Sequence, residues 1–199
     1  MSYKAIIALV VIAFAVLVPV GCTVSSYNTL VTLDEGVESQ WAQVQNAYQR
    51  RLDLVPNLVE TVKGAAKFEK ETYTGVAEAR ARAAQATNVN APDDPAALQK
   101  FEQAQQQLSS ALSRLMVVVE RYPELKATDA FRDLMAQLEG TENRIAVERM
   151  RFNEAARGFN TKRNSFPTMF VASLFGSRFA EKGYFHAEAG AEKAPKVSF

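Results

Sequence analysis

An unbroken apolar run near the N-terminus constrains this chain more than any other feature of its sequence. Residues 5–20 read AIIALVVIAFAVLVPV, and residues 21–24 extend the uncharged stretch to 20 residues. At about 1.5 Å per residue, a helix of this length is roughly 30 Å long, which matches the hydrocarbon core of a bilayer. The run therefore predicts a membrane segment, because a buried helix of a soluble domain is rarely apolar on all sides.

Three fates are open for this segment, which we bound at residues 1–26. It stays as a signal-anchor helix, it is removed as a secretory signal, or it is cleaved before Cys22, which is then lipidated. The small residue Gly21 fits lipidation, whereas Pro19 does not, because leucine is usual there. Lys4 precedes the run and predicts a single pass with the N-terminus inside, so that the remaining chain is periplasmic or extracellular.

The composition excludes several classes of function. Lys and Arg number 23 against 22 Asp and Glu, a net charge of +1, and such a chain lacks the basic field that nucleic acids require. With one cysteine and one histidine, it has no internal disulfide, cysteine-based zinc site or multi-histidine metal site. There is no Glu-x-x-His motif, no nucleophile beside a base and no glycine-rich phosphate loop. We therefore expect no enzyme and no cofactor.

Apolar residues recur at steps of three and four through most of the remaining sequence, which predicts helices. The average spacing of about 3.5 predicts an all-α fold, with a long antiparallel four-helix bundle of coiled-coil-like packing over residues 27–165. Residues 88–95 (NVNAPDDP) predict a loop in which Asp93 or Asp94 caps the third helix. Pro123 predicts the end of that helix.

The segment Asp53-Leu54-Val55-Pro56 leaves two arrangements open. Asp53 caps a new helix that has Pro56 in its first turn, where the missing N–H does no harm. Alternatively, Pro56 only kinks one long helix over about residues 28–86. We prefer the first arrangement, a hairpin, because it fills a core better than one very long helix.

Several short blocks resemble the LemA family, in family order and over residues 27–185. They are YNTLV at 27–31, RLDLVPNLV at 51–59, VKG at 62–64, ERYPELKA at 120–127, TENRIA at 141–146, and Phe166-Pro167. The resemblance implies a bacterial protein with one N-terminal membrane helix, a helical remainder and no established enzymatic activity. Phe68 departs from the family pattern, in which histidine is common, and this weakens any family-wide role for that side chain.

Two proline-containing turns form a candidate partner-docking surface under the hairpin arrangement. Both turns then lie at the end of the bundle away from the membrane, with Arg51 at the edge of the surface. The alternative is that the same side chains pack on each other and close the bundle. The residues concerned are Leu54, Pro56, Tyr122, Pro123, Leu125 and Lys126.

The apolar C-terminal segment, residues 166–185, is a candidate membrane-interface element. In an up-down-up-down bundle it returns to the membrane-proximal end, where it inserts into the interface or packs on the base of the bundle. The inserting residues would be Phe170, Val171, Leu174, Phe175 and Phe179. Residues 186–199 are poor in bulky apolar side chains and predict a loose tail.

A few polar residues fall on the apolar series, namely Glu69, Arg80, Gln105 and Arg149 or Glu148. An internal Glu69–Arg144 pair would form a polar site or, as we prefer, fix helix register. The sequence thus predicts a non-enzymatic, membrane-anchored scaffold of the bacterial envelope that binds another envelope protein or a second copy of itself. The alternative is an accessory or regulator of a membrane enzyme, such as a protease.

Overall fold

The computed structural model describes residues 3–65, 70–87 and 91–186, and this part of the chain is helical without strands. The predicted all-α fold with a long apolar N-terminal helix is confirmed. The helices are α1 (Tyr3–Ala65), α2 (Lys70–Thr87), α3 (Pro95–Val119), α4 (Pro123–Lys126), α5 (Asp129–Arg163) and α6 (Thr168–Leu174), followed by a 3₁₀ helix at Gly176–Phe179. The predicted tail lies beyond the described residues, except for His186.

The chain divides into two compact units. The first contains residues 1–48 and 144–182, and the second contains residues 49–143 and 183–199. The first unit therefore holds the N-terminal part of α1, the part of α5 from residue 144 onwards, and all of α6. The second holds the end of α1, α2 to α4 and the start of α5. The domain boundaries drawn from the sequence stay a prediction.

Helix α1 continues through Asp53 and Pro56 to Ala65, so the preferred hairpin at this position is wrong. A proline inside a helix has no N–H for the carbonyl four residues earlier, which here is that of Leu52. The Arg80 Nε of α2 donates a hydrogen bond to that carbonyl oxygen at 2.8 Å. This side chain replaces the missing backbone donor, and the helix passes the proline without a buried, unsatisfied carbonyl.

The second unit has a continuous apolar core to which five helices, α1 to α5, contribute. Its largest fully buried side chains include Leu52 and Leu58 of α1 and Leu108 and Leu115 of α3. Asp94 caps α3 as predicted, since its side chain accepts a hydrogen bond from the Ala96 N–H at 2.8 Å. The predicted break before Pro123 is also confirmed, because α3 ends at Val119.

The first unit packs α1 against α5 through large aromatic side chains. Trp41 of α1 and Phe152 of α5 are both buried, with their ring centroids 5.7 Å apart. Phe159 lies seven residues further along α5, and its ring centroid is 6.5 Å from that of Phe179 in the 3₁₀ helix. The segment after α5 is therefore part of the core of this unit.

Candidate functional site

The N-terminal part of α1 presents apolar side chains to its surroundings on all sides. Leu17 is 68% exposed and Phe14 is 70% exposed, although both are large hydrophobic residues. This stretch is long and apolar enough to cross a membrane, as predicted. The thiol of Cys22 is free and exposed on the same helical stretch. Its lipidation stays a prediction.

A buried ion cluster fastens the C-terminal segment to α1 in the first unit. The carboxylate of Asp34 is almost fully buried and pairs with Arg178 and Lys182. The Lys182 Nζ lies 2.5 Å from Asp34 Oδ1, and its side chain is 1% exposed. The hydrogen bond and the negative charge of Asp34 both raise the pKa of the Arg178 guanidinium above its ordinary value.

Hydrogen bonds from α5 complete this attachment. The side-chain amide of Asn160 donates to the Lys182 carbonyl oxygen and accepts from the Lys182 N–H, both at 2.9 Å. The Arg163 Nε donates to the carbonyl oxygen of Phe179 at 2.7 Å. The Lys182 ammonium also lies 5.0 Å from the centroid of the Phe159 ring, a cation–π contact. The segment is thus held by charge, backbone and ring contacts together.

Sequence reasoning missed the role of Asp34, although its position carried a signal. Asp34 lies four residues after Leu30 and three before Val37, so it occupies a core position of the apolar series. A carboxylate at such a position needs a buried cationic partner. The partners are more than 140 residues away in the sequence, and no local pattern identifies them.

The five residues of the candidate membrane-interface element divide into two groups. Val171 and Phe179 are buried in the first unit. Phe170, Leu174 and Phe175 are 61%, 75% and 43% exposed. All five lie on α6, at its C-terminal cap or in the following 3₁₀ helix. Their insertion into a membrane stays a prediction.

The residues of the predicted docking surface also differ in exposure. Leu54 and Leu125 belong to the core of the second unit, and Tyr122 packs partly buried against it. Pro56, Pro123 and Lys126 are exposed. Pro56 lies inside α1 and not in a turn, so the hairpin on which this surface depends is absent. Only these three residues present much of their surface to a partner, and the docking role stays a prediction.

An open apolar groove of about 860 Å³ lies beside this surface, within the second unit. Its apolar lining comes from α1, α3 and α5, namely Leu58, Leu112, Met116, Phe131, Met135 and Leu138. The buried Arg51 lies at its edge, 2.8 Å from Glu142 Oε1, and donates a hydrogen bond to Ser109 Oγ at 2.7 Å. Lys126 is shared between the groove and the predicted docking surface.

Charged side chains also line the groove, and its acidic part includes the buried Arg51, which pairs with Glu142. Arg132 of α5 and Lys126 of α4 lie at one end, and Glu139 and Glu142 lie further along α5. From Arg132 to Glu142 the helix rises by roughly 15 Å, or about three turns. The groove is therefore apolar along most of its length, has charged residues near its ends, and is about as long as a short helix.

Those polar residues of the apolar series that the structure describes have contacts with neighbouring residues. Glu69 lies outside the described residues, and Arg144 faces Glu148 of its own helix at 3.9 Å. Gln105 is buried and donates to Thr87 Oγ1 at 3.4 Å. Within the part of the chain that the structure describes, no three His, Cys, Asp or Glu residues are grouped as metal ligands.

Comparison with known proteins identifies similar chains. The model of the LemA family matches residues 40–199. Magnetosome protein MamQ 2 of Paramagnetospirillum magneticum is 28% identical over 173 residues, which are 78% of this chain and 63% of the relative. Magnetosome protein MamQ of Magnetospirillum gryphiswaldense is 28% identical over 80% of this chain. Protein LemA of Metamycoplasma hominis is 24% identical over 73% of this chain. The chain spans just under two thirds of the length of these relatives.

Proposed function

Because this chain belongs to the LemA family, we propose that it is a non-enzymatic, membrane-anchored interaction protein that binds a partner helix in its groove. The apolar N-terminal part of α1 is retained as a single-pass anchor. Lys4 precedes that part, and the first charges beyond it are acidic, which favours an orientation with the folded units outside the cytoplasm. The names of the relatives specify no reaction, which agrees with a binding role.

The groove of the second unit is the observation that carries this proposal. Its floor is apolar and includes two methionines, Met116 and Met135, whose flexible side chains adapt to different apolar surfaces. Its volume lies in the range of binding sites, and its length fits an amphipathic helix of about three turns. Helices that dock in this way insert apolar side chains spaced by three and four residues.

The charges at the ends of the groove define the partner more closely. Lys126 and Arg132 favour acidic residues at one end of the partner helix, whereas Glu139 favours basic residues at the other, since Glu142 already pairs with Arg51. We therefore propose an amphipathic helix of another envelope protein, with its acidic and basic residues at opposite ends. This charge order specifies one direction of binding.

A photocrosslinking experiment tests the groove. The full-length chain carries benzoylphenylalanine at Met116, which lines the groove, or at the neighbouring Val117, which is 60% exposed and does not line it. In native membranes, irradiation should join the Met116 variant to a second protein through an amphipathic helix of the proposed charge order. The Val117 variant should give little product. Mass spectrometry of the adduct identifies the joined segment.

Two further outcomes would contradict the proposal. Equal adducts at positions 116 and 117 would mean that the groove is not selective. An adduct between two copies of this chain would mean that the groove serves self-association. A Met135→Asp exchange supplies the control, because it should abolish the adduct at position 116. We expect it to destabilise the second unit by about 1–2 kcal/mol, because Met135 packs partly buried against the core, and circular dichroism checks that the variant stays folded.

A further inference from the structure

A second apolar surface, on the first unit, is not part of the groove. Helix α6 is apolar on two faces, and it buries Val171 and Ala172 on one of them. The other face exposes large side chains and continues into the flanking residues. We call this surface the α6 patch, and its residues are Phe166, Met169, Phe170, Leu174 and Phe175.

The α6 patch is continuous and too exposed to face only water. Phe166 and Phe170 contact each other edge to face, with ring centroids 5.9 Å apart. Phe166 is 78% exposed, and Leu174 is 75% exposed. Scattered apolar side chains on a surface need no explanation, but a contiguous patch of this kind marks an interaction surface. We therefore expect another molecule to cover this patch.

Contacts with α1 place the patch at a defined distance from the apolar segment. The Phe175 ring lies 4.8 Å from that of Tyr27, and the Phe179 ring lies 5.4 Å from it. Tyr27 follows Val24, the last residue of the apolar segment, by three positions, a rise of about 4.5 Å. The patch thus lies next to the point where α1 leaves the hydrocarbon core.

The distribution of charge along α1 also indicates how deep Tyr27 lies in the bilayer. Between Lys4 and Asp34 the helix has no charged residue, and this stretch is roughly 44 Å long. A bilayer with its headgroup regions is about 40–45 Å thick. Tyr27 then lies in the headgroup zone, where aromatic side chains are enriched, and Asp34 lies at its outer edge with Arg178 and Lys182.

We propose that the α6 patch inserts into the lipid surface, at the boundary of headgroups and acyl chains in the leaflet that α1 leaves. This inference rests on the proposed transmembrane anchor and does not depend on the groove. With α1 and the α6 patch as two attachments, the first unit has a fixed orientation to the bilayer rather than rotating freely on its anchor. Lipid is the occupant because Phe175 of the patch contacts Tyr27, only three residues beyond the apolar stretch of α1.

Depth-dependent fluorescence quenching tests the proposal. The full-length Cys22→Ala protein receives one new cysteine for an environment-sensitive dye, as Phe170→Cys, Leu17→Cys or Met150→Cys. All three side chains are exposed, so labelling should leave the fold intact. Leu17 marks the apolar stretch of α1, and Met150 of α5 lies roughly 20 Å along that helix from its end at Arg163. The proteins are reconstituted into two sets of phosphatidylcholine vesicles, with acyl chains brominated either close to the headgroup or near the middle of the bilayer.

The expected result is that bromine close to the headgroup removes most of the fluorescence at position 170, that bromine near the bilayer centre does so at position 17, and that neither affects position 150 much. Aqueous iodide should quench position 150 only. Quenching at 17 without quenching at 170 would overturn the inference and leave the anchor in place. If neither position is quenched by lipid, the anchor itself fails. Protection of position 170 from both quenchers would show that protein covers the patch, which also overturns the inference.

Discussion

An Asp34→Asn exchange should destabilise the first unit by about 3–5 kcal/mol, the usual cost of removing one partner from a buried ion pair. The exchange keeps the shape of the side chain but removes the negative charge that faces Arg178 and the buried Lys182. The Lys182 ammonium would then lie in the core without its carboxylate. The attachment of residues 168–182 to α1 should weaken first.

Tryptophan fluorescence measures this effect, because Trp41 is the only tryptophan and lies in the first unit. The full-length protein in detergent is unfolded with urea, and the midpoint should move to a markedly lower concentration. Asp129→Asn is the matched control, since the Asp129 side chain is 90% exposed and pairs with Arg132 on the surface. Equal midpoints for Asp34→Asn and the unmodified protein would show that the cluster adds nothing to stability.

An Arg80→Leu exchange should cost the second unit about 1–3 kcal/mol, but only while Pro56 is present. In the unmodified chain, Arg80 donates the hydrogen bond that the Leu52 carbonyl cannot receive from residue 56. In a Pro56→Ala background, the alanine N–H restores the helical hydrogen bond. The Arg80→Leu exchange should then cost much less.

A double-mutant cycle with hydrogen–deuterium exchange tests this coupling. The free energy of opening is measured for amides of α1 near residue 56 in the full-length protein and in the single and double variants. The expected coupling between the two sites is of the order of 1 kcal/mol or more. An equal cost of Arg80→Leu in both backgrounds would show that the Arg80 side chain does not replace the backbone donor that Pro56 lacks. Arg82→Leu, an exposed neighbour on α2, is the control.

Hydrophobic spacing predicted the helices well, because it reflects burial directly. Leu30, Val37 and Trp41, for example, follow one another at steps of seven and four residues, and all are buried. The unbroken apolar stretch predicts the exposed part of α1 for a different reason, because a helix that is apolar on all sides has no polar face for water. The expected hairpin at Pro56 is wrong because the effect of this proline depends on Arg80, which lies 24 residues further along the chain. Local propensity favours a helix start at Asp53, and a tertiary hydrogen bond overrides it.

The candidate sites were only partly predictable. The sequence shows that the segment after α5 is apolar, but the spacing alone does not separate the buried Val171 from the exposed Phe170. That division depends on how α6 packs within the first unit. The groove could not be predicted, because its lining comes from α1, α3 and α5 and follows from their packing. Asp34 stood at a core position of its series, yet its partners Arg178 and Lys182 are distant in the sequence.

The intact mass of the protein extracted from its native membrane shows whether the apolar stretch of α1 stays in the bilayer as one helix with the folded units. We expect the mass of the full chain, 21.9 kDa, in the membrane fraction. A species that begins at Cys22 and carries acyl groups would contradict a retained helix, because the units would then be anchored to the membrane only by the lipids on Cys22. A cleaved, unlipidated species in the soluble fraction would contradict it equally.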